Sequence, residues 1–149
     1  MADIISTLND LVETSKDGEK GFQAAAEDAK NAELKTVFTQ HAQECAKSAS
    51  ELQQIVSQLG GKPEKHGSLA GALHRGWVDT KSALTTRDDV AILEEVERGE
   101  DVAKAKYRKA LDEVELPQDV RSVVQRQYDG VLHNHDQIRD LRNRYRAAH

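Results

Sequence analysis

The fold is decided by one stretch of sequence, residues 31–63, which reads NAELKTVFTQHAQECAKSASELQQIVSQLGGKP. Apolar side chains recur in it at three- and four-residue spacing, which is the periodicity of a helix with one buried face. Asn31 is a suitable N-cap for this helix. Gly60 and Gly61 end the pattern, and Pro63 prevents its resumption. The stretch therefore predicts a long amphipathic helix with a defined beginning and end.

Three other stretches show the same periodicity. The first helix is predicted from about Asp3 to Lys30, the third precedes Pro117 and the fourth follows it. A shorter helix is predicted from Ser68 to about Ala83, within the long connection between the second and third long helices. No alternating strand pattern occurs. These features predict an all-α bundle in which short loops pair helices 1–2 and 3–4, and a helical crossover joins the pairs.

Composition limits the possible classes of protein. A chain of 149 residues predicts a single domain, residues 1–149. Its net charge of -5 argues against a dedicated nucleic-acid binder. Cys45 is the single cysteine, so an internal disulfide is impossible and a reducing compartment is favoured. Neither a signal peptide nor an apolar run of about 20 residues is recognisable, and we expect a cytoplasmic protein that does not associate with membranes.

A polar layer lies near the middle of the predicted bundle. Acidic or histidine side chains fall on or beside the apolar stripe of each long helix: Glu19, His41, Glu44, Glu97, Glu100 and His135. At least one on each helix lies within about 5 Å of the helix midpoint along the axis, so an antiparallel arrangement brings them into one layer. Because an unpaired buried charge is very costly, these groups must pair with each other, hold water or bind a ligand.

Two interpretations of this layer remain open. In the structural one, the carboxylates and histidines hydrogen-bond across the bundle and fix its register. In the metal-binding one, the same six side chains hold Fe or Zn, since mixed carboxylate and imidazole sites suit those ions. The mid-helix glycines near the layer fit either interpretation, because they allow close helix contact or leave space for a ligand. No catalytic constellation is recognisable around Cys45, which is expected to be a small buried side chain.

Four segments carry a resemblance to a known family. They read LNDLVETSKDGEKGF (8–22), GSLAGALHRGWVDTKSAL (67–84), EEVERGED (94–101) and QYDGVLHNHDQIR (127–139). Over essentially its whole length the chain resembles a bacterial family of ferritin-like four-helix-bundle proteins of unassigned function. The resemblance implies an up-down-down-up bundle with a shorter helix in the crossover, an association with general stress conditions, and no established reaction.

The chain departs from the Glu-x-x-His motifs of metal-binding ferritin-like proteins. Lys47 stands three residues after Glu44, and Leu132 stands three residues before His135. A di-iron oxidase is therefore not expected. The leading hypothesis is a non-enzymatic bundle protein that acts through homo-oligomerisation or a partner. The alternative is a divergent ferritin-like metalloprotein that binds Fe or Zn at the mid-bundle layer.

Overall fold

The chain forms four helices in the parts that the structure, a computed structural model, describes: residues 2–67 and 89–148. They are α1 (Ala2–Asp28), α2 (Ala32–Gln58), α3 (Asp89–Glu113) and α4 (Gln118–Ala148). No strand occurs within these ranges. The predicted all-α architecture with four long helices is confirmed. The shorter helix predicted from Ser68 to about Ala83 lies outside the described residues.

The ends of α2 follow from its sequence. The side chain of Asn31 accepts a hydrogen bond of 2.8 Å from a backbone N–H in the first turn, as predicted for its N-cap. At the other end, Gly60 adopts a φ of 84°, a left-handed conformation that glycine tolerates best. The N–H groups of Gly60 and Gly61 donate to the carbonyl oxygens of Ser57 and Val56, at 3.0 and 2.9 Å. These two bonds form a Schellman motif, which satisfies carbonyl groups left free at the helix end.

The hydrophobic core is divided into two clusters, one toward each end of the bundle. The Tyr107 cluster contains Leu8, Leu11, Val12, Leu52, Val56, Tyr107, Ala110, Leu111, Leu116, Val120 and Val124. The Phe38 cluster contains Phe22, Ala25, Ala29, Leu34, Phe38, Ala42, Ile92, Leu93, Ile138 and Leu141. Along the chain, α1 and α4 pass from the Tyr107 cluster to the Phe38 cluster, whereas α2 and α3 pass in the opposite direction. The middle of the bundle lies between the clusters.

Two side chains connect helix ends to the segments beside them. Asp89, the first residue of α3, accepts backbone hydrogen bonds from Lys30 and Asn31 at 2.9 and 3.2 Å. Asn9, near the start of α1, donates to the carbonyl oxygen of Lys62 at 3.1 Å and accepts from the N–H of Glu64 at 2.8 Å. The start of α3 is therefore attached to the α1–α2 loop, which follows the C-terminal end of α1. The segment after α2 is attached near the N-terminal end of α1.

We predict that Asp89→Ala lowers the free energy of unfolding by about 1–2 kcal/mol, because two N–H groups lose a charged acceptor. Urea unfolding followed by circular dichroism measures this change. Asp112→Ala is the matched control, since Asp112 is an exposed α3 carboxylate whose ion pair with Arg108 is also exposed. Equal losses in the two variants would contradict the assigned role of Asp89.

Candidate ligand cavity in the middle of the bundle

A cavity of about 640 Å³ lies between the two core clusters and is lined by residues of all four helices. Its volume lies within the range of about 300–1,000 Å³ that is typical of small-molecule sites. The described lining is largely apolar and includes Phe22, Ile92, Val96, Ala103 and Val131. It also contains a small set of buried polar side chains, which are described below.

Glycines create part of this space. Gly21, Gly99 and Gly130 come from α1, α3 and α4, and each lines the cavity. A Cβ atom built on any of them meets no atom within 4 Å beyond its chain neighbours and its own helix backbone. Gly99 and Gly130 are exposed, so the space beside them is continuous with solvent, whereas Gly21 is half-buried. Of the two uses proposed for these glycines, close helix contact does not apply at these three positions.

Gly18, by contrast, allows close contact between two helices. A Cβ atom on Gly18 would lie 2.9 Å from the Sγ atom of Cys45, a distance that no real side chain tolerates. The glycine thus allows α1 and α2 to approach each other at this level. Burial raises the pKa of the Cys45 thiol, and the nearby carboxyl groups of Glu100, Glu44 and Glu19 raise it further. The thiol is therefore held in its neutral form and is a poor nucleophile.

Glu100 is the carboxyl group placed most deeply in this region. It lines the cavity from α3, and only 6% of its surface is exposed. Among the residues that the structure describes, its carboxyl group has no hydrogen-bond or ion-pair partner. Burial raises its pKa from the ordinary value of 4.5 to about 8, with further contributions from the charges of Glu44 and Asp101. At neutral pH Glu100 is therefore mostly a neutral carboxylic acid.

A chain of hydrogen bonds crosses the bundle beside the cavity and involves every helix. The Tyr107 hydroxyl group donates to Oε1 of Gln127 at 2.8 Å and lies 3.3 Å from Oγ of Ser15. Nε2 of Gln127 donates to Oε1 of Glu51 at 3.1 Å. Arg126 completes the chain by pairing with Glu51 at 2.7 Å. The buried Tyr107 hydroxyl is thus satisfied.

Three of the six predicted site residues have partners on their own helix or on α4. Nζ of Lys16 lies 4.0 Å from Oε1 of Glu19. Glu44 accepts a hydrogen bond of 2.8 Å from Nδ2 of Asn134 and lines the cavity. His41 is 3% exposed, and its Nε2 atom lies 2.8 Å from an amide oxygen of α4.

His41 lies in the Phe38 cluster rather than in the cavity. Its ring meets the Phe22 ring edge-on at 5.0 Å between centroids. Its hydrogen-bond partner on α4 is Oε1 of Gln137. Burial lowers the pKa of His41, an effect that the bond to Gln137 and the charge of Glu44 oppose in part. His41 is therefore a neutral ring that packs between helices.

The other two predicted residues, Glu97 and His135, belong to a charge network between α3 and α4. Nε2 of His135 lies 2.7 Å from Asp101 and 3.9 Å from Glu97. Glu97 also pairs with Arg142. Although Glu97 and Glu100 are one helical turn apart, the structure places them in different surroundings: Glu97 contacts α4, and Glu100 lines the cavity.

The predicted layer is thus divided among several places. The structure brings Glu44 and Glu100 to one cavity. It places His41 and the Glu97–His135 pair elsewhere. Within residues 2–67 and 89–148, no group of three or more His, Cys, Asp or Glu side chains is arranged to hold a metal ion. The six residues therefore do not fit a shared metal site in this part of the chain, and metal binding stays a prediction.

Sequence reasoning missed two buried amides, Gln127 and Asn134. Both lie at helical spacing from the apolar residues Val124, Val131 and Ile138 of α4, a signal that could have placed them on the buried face. They were not predicted as site residues because amides, unlike carboxylates, carry no charge. Here they are the α4 partners of Glu51 and Glu44.

Comparison with known sequences assigns the chain to a family. The sequence model described as Domain of unknown function (DUF2383) matches residues 3–113. The chain belongs to the DUF2383 family. No curated protein matches it. The match to DUF2383 includes α1, α2 and α3, and α4 supplies Gln127 and Asn134 from outside the matched residues. None of the described helices is both long and apolar enough to cross a membrane.

The raised pKa of Glu100 predicts how the stability of this DUF2383 chain depends on pH. Between about pH 4.5 and 8, the folded protein keeps a proton on Glu100 that the unfolded chain has lost. The contribution of Glu100 to stability therefore falls as the pH rises through this window, by up to about 1.4 kcal/mol per pH unit. Glu100→Gln imitates the protonated form and removes this fall.

We expect wild type and Glu100→Gln to unfold at similar urea concentrations near pH 4.5 and the variant to be more stable near pH 8. Glu113→Gln, which changes an exposed carboxylate on the same helix, is the control and should follow wild type at both pH values. Parallel pH profiles for wild type and Glu100→Gln would contradict the assigned protonation of Glu100.

Proposed function

We propose that this chain is a non-enzymatic, ferritin-like binding protein that holds a small, largely apolar molecule in the cavity at the middle of the bundle. The observation that carries the proposal is Glu100, a residue that is 6% exposed, lines a volume of about 640 Å³ and has no carboxyl partner in the described ranges. A mostly apolar cavity with a few convergent polar groups is the usual form of a small-molecule site.

Two features of the fold support this proposal. The passage of α1 and α4 in one direction and α2 and α3 in the other agrees with a ferritin-like arrangement, whose sites lie in the bundle core. Packing against the Tyr107 and Phe38 clusters holds the helices together on both sides of the cavity.

A neutral apolar dye tests the proposal. We expect N-phenyl-1-naphthylamine to bind the purified chain with an increase in fluorescence, because the dye passes from water to an apolar environment. Ala103→Phe puts an aromatic ring into the cavity wall, and we expect it to weaken binding at least about tenfold, which is 1.4 kcal/mol.

Ala105→Phe is the matched control, since Ala105 lies on the same helix but is exposed and outside the cavity lining. It should bind the dye as wild type does. Circular dichroism would establish that both variants are folded. A cavity that holds only water would give no saturable binding, and equal binding by both variants would locate the dye elsewhere; either result overturns the proposal.

The metalloprotein alternative has one local observation in its favour, the approach of His135 to both Asp101 and Glu97. The pairing of Glu97 with Arg142 opposes it, because that arginine already neutralises the carboxylate. We expect no stoichiometric metal in protein expressed with Fe and Zn available, as measured by elemental analysis. One metal ion per chain, lost in His135→Ala and retained in an exposed control, His133→Ala, would favour the alternative instead.

A further inference from the structure

The charge distribution around the cavity identifies the kind of molecule that fits it. The described lining contains four basic residues, Lys47, Arg98, Lys106 and Arg126, and all of them are exposed. Arg98 and Arg126 are also paired, with Glu95 and Glu51 respectively. Among the buried lining residues that the structure describes, two side chains are acidic, Glu95 and Glu100, and none is basic. Arg98 balances the charge of Glu95, whereas Glu100 has no cation beside it in the described ranges.

The neighbours of Glu100 strengthen this imbalance. Glu44 on α2 lines the cavity at an exposed position, and its charge acts on Glu100, as does the charge of Asp101, an exposed α3 residue outside the lining. The thiol of Cys45 is neutral and supplies no charge. His135 on α4 is held at 2.7 Å from Asp101, outside the cavity lining. No histidine in the described ranges lines the cavity.

From this arrangement we infer that the ligand is an apolar molecule carrying one ammonium group, which pairs with Glu100 while its hydrocarbon part occupies the glycine-lined volume. This inference rests on the proposed function, because it names the class of molecule for the same cavity. An ammonium group has three N–H donors. Lining residues that carry acceptor oxygens are the buried Glu100 and Asn134 and the exposed Glu44.

The apolar part of such a ligand matches the remaining lining. Phe22, Ile92 and Val96 line the cavity, as do the half-buried Gly21 and the exposed Gly99 and Gly130. Val102 stands next to Gly99 and Ala103 on α3, lines the cavity and is 54% exposed, so apolar surface extends from the interior to solvent. A ligand with its charge inside and its hydrocarbon part against these residues buries apolar area and gives the carboxyl group of Glu100 a partner.

Three ligands of equal length test this inference: n-octylamine, n-octanol and n-octanoate, each measured by displacement of N-phenyl-1-naphthylamine. Measurements near pH 8.5 keep the amine charged, as for a lysine side chain, and favour ionised Glu100. We expect n-octylamine to bind at least about tenfold more tightly than n-octanol, because a charge-assisted pair is stronger than a neutral hydrogen bond. We expect n-octanoate to bind most weakly.

Glu100→Gln tests the position of the ammonium group. We expect the preference for the amine over the alcohol to fall to within about threefold in this variant, because the charged acceptor is gone. Glu113→Gln, with the same change at an exposed position of α3, should keep the preference. Glu44→Gln should reduce the preference in part, since Glu44 adds a second carboxyl group to the same lining.

The outcomes separate this inference from the proposed function. Equal affinities for the amine, alcohol and carboxylate in wild type would overturn the ammonium inference and leave the binding cavity in place, as would a preference that survives Glu100→Gln. Failure of the dye and of all three ligands to bind would overturn the proposed function itself. The comparison among the three ligands uses wild-type protein alone, so it does not depend on the folding of any variant.

Discussion

The whole arrangement depends on one constraint: the four helices do not meet through apolar side chains along their full length. Their core is divided into the Tyr107 and Phe38 clusters, and burial of apolar surface in these clusters supplies the main stabilisation of the fold. Beside the cavity, the hydrogen bonds that join Ser15, Tyr107 and Gln127 fix the level at which α1, α3 and α4 face each other. The position of Glu100 follows from that alignment, because its helix carries Tyr107 two turns farther along.

The features that stabilise the middle of the bundle differ from those that leave space in it. Buried hydrogen bonds from Tyr107 and Asn134 satisfy polar groups that would otherwise be costly. Glu100 has the opposite effect, because it is buried without a compensating partner in the described residues. A close-packed core would fill the volume beside it with side chains.

Sequence patterns predicted those parts of the structure that depend on local chemistry. The helices, the Asn31 cap and the Gly60 terminus follow from spacing and backbone preferences within a few residues. A polar layer was also predictable, because Glu100 and His41 lie on apolar stripes and are buried. Which of these residues meet was not predictable. An apolar stripe indicates which side of a helix is buried, but not which neighbouring helix a side chain contacts. Glu97 and Glu100 were therefore predicted to lie in one layer, whereas Glu97 contacts α4 and Glu100 lines the cavity.

The close contact between Gly18 and Cys45 has a chemical consequence. The sulfur atom occupies the space where a larger residue at position 18 would project, and on its other side it lines the cavity. Cys45 is the single thiol in the sequence, and its raised pKa keeps this sulfur atom uncharged at ordinary pH. The wall that α1 and α2 form beside the cavity is therefore held by an apolar contact whose closeness does not change with pH.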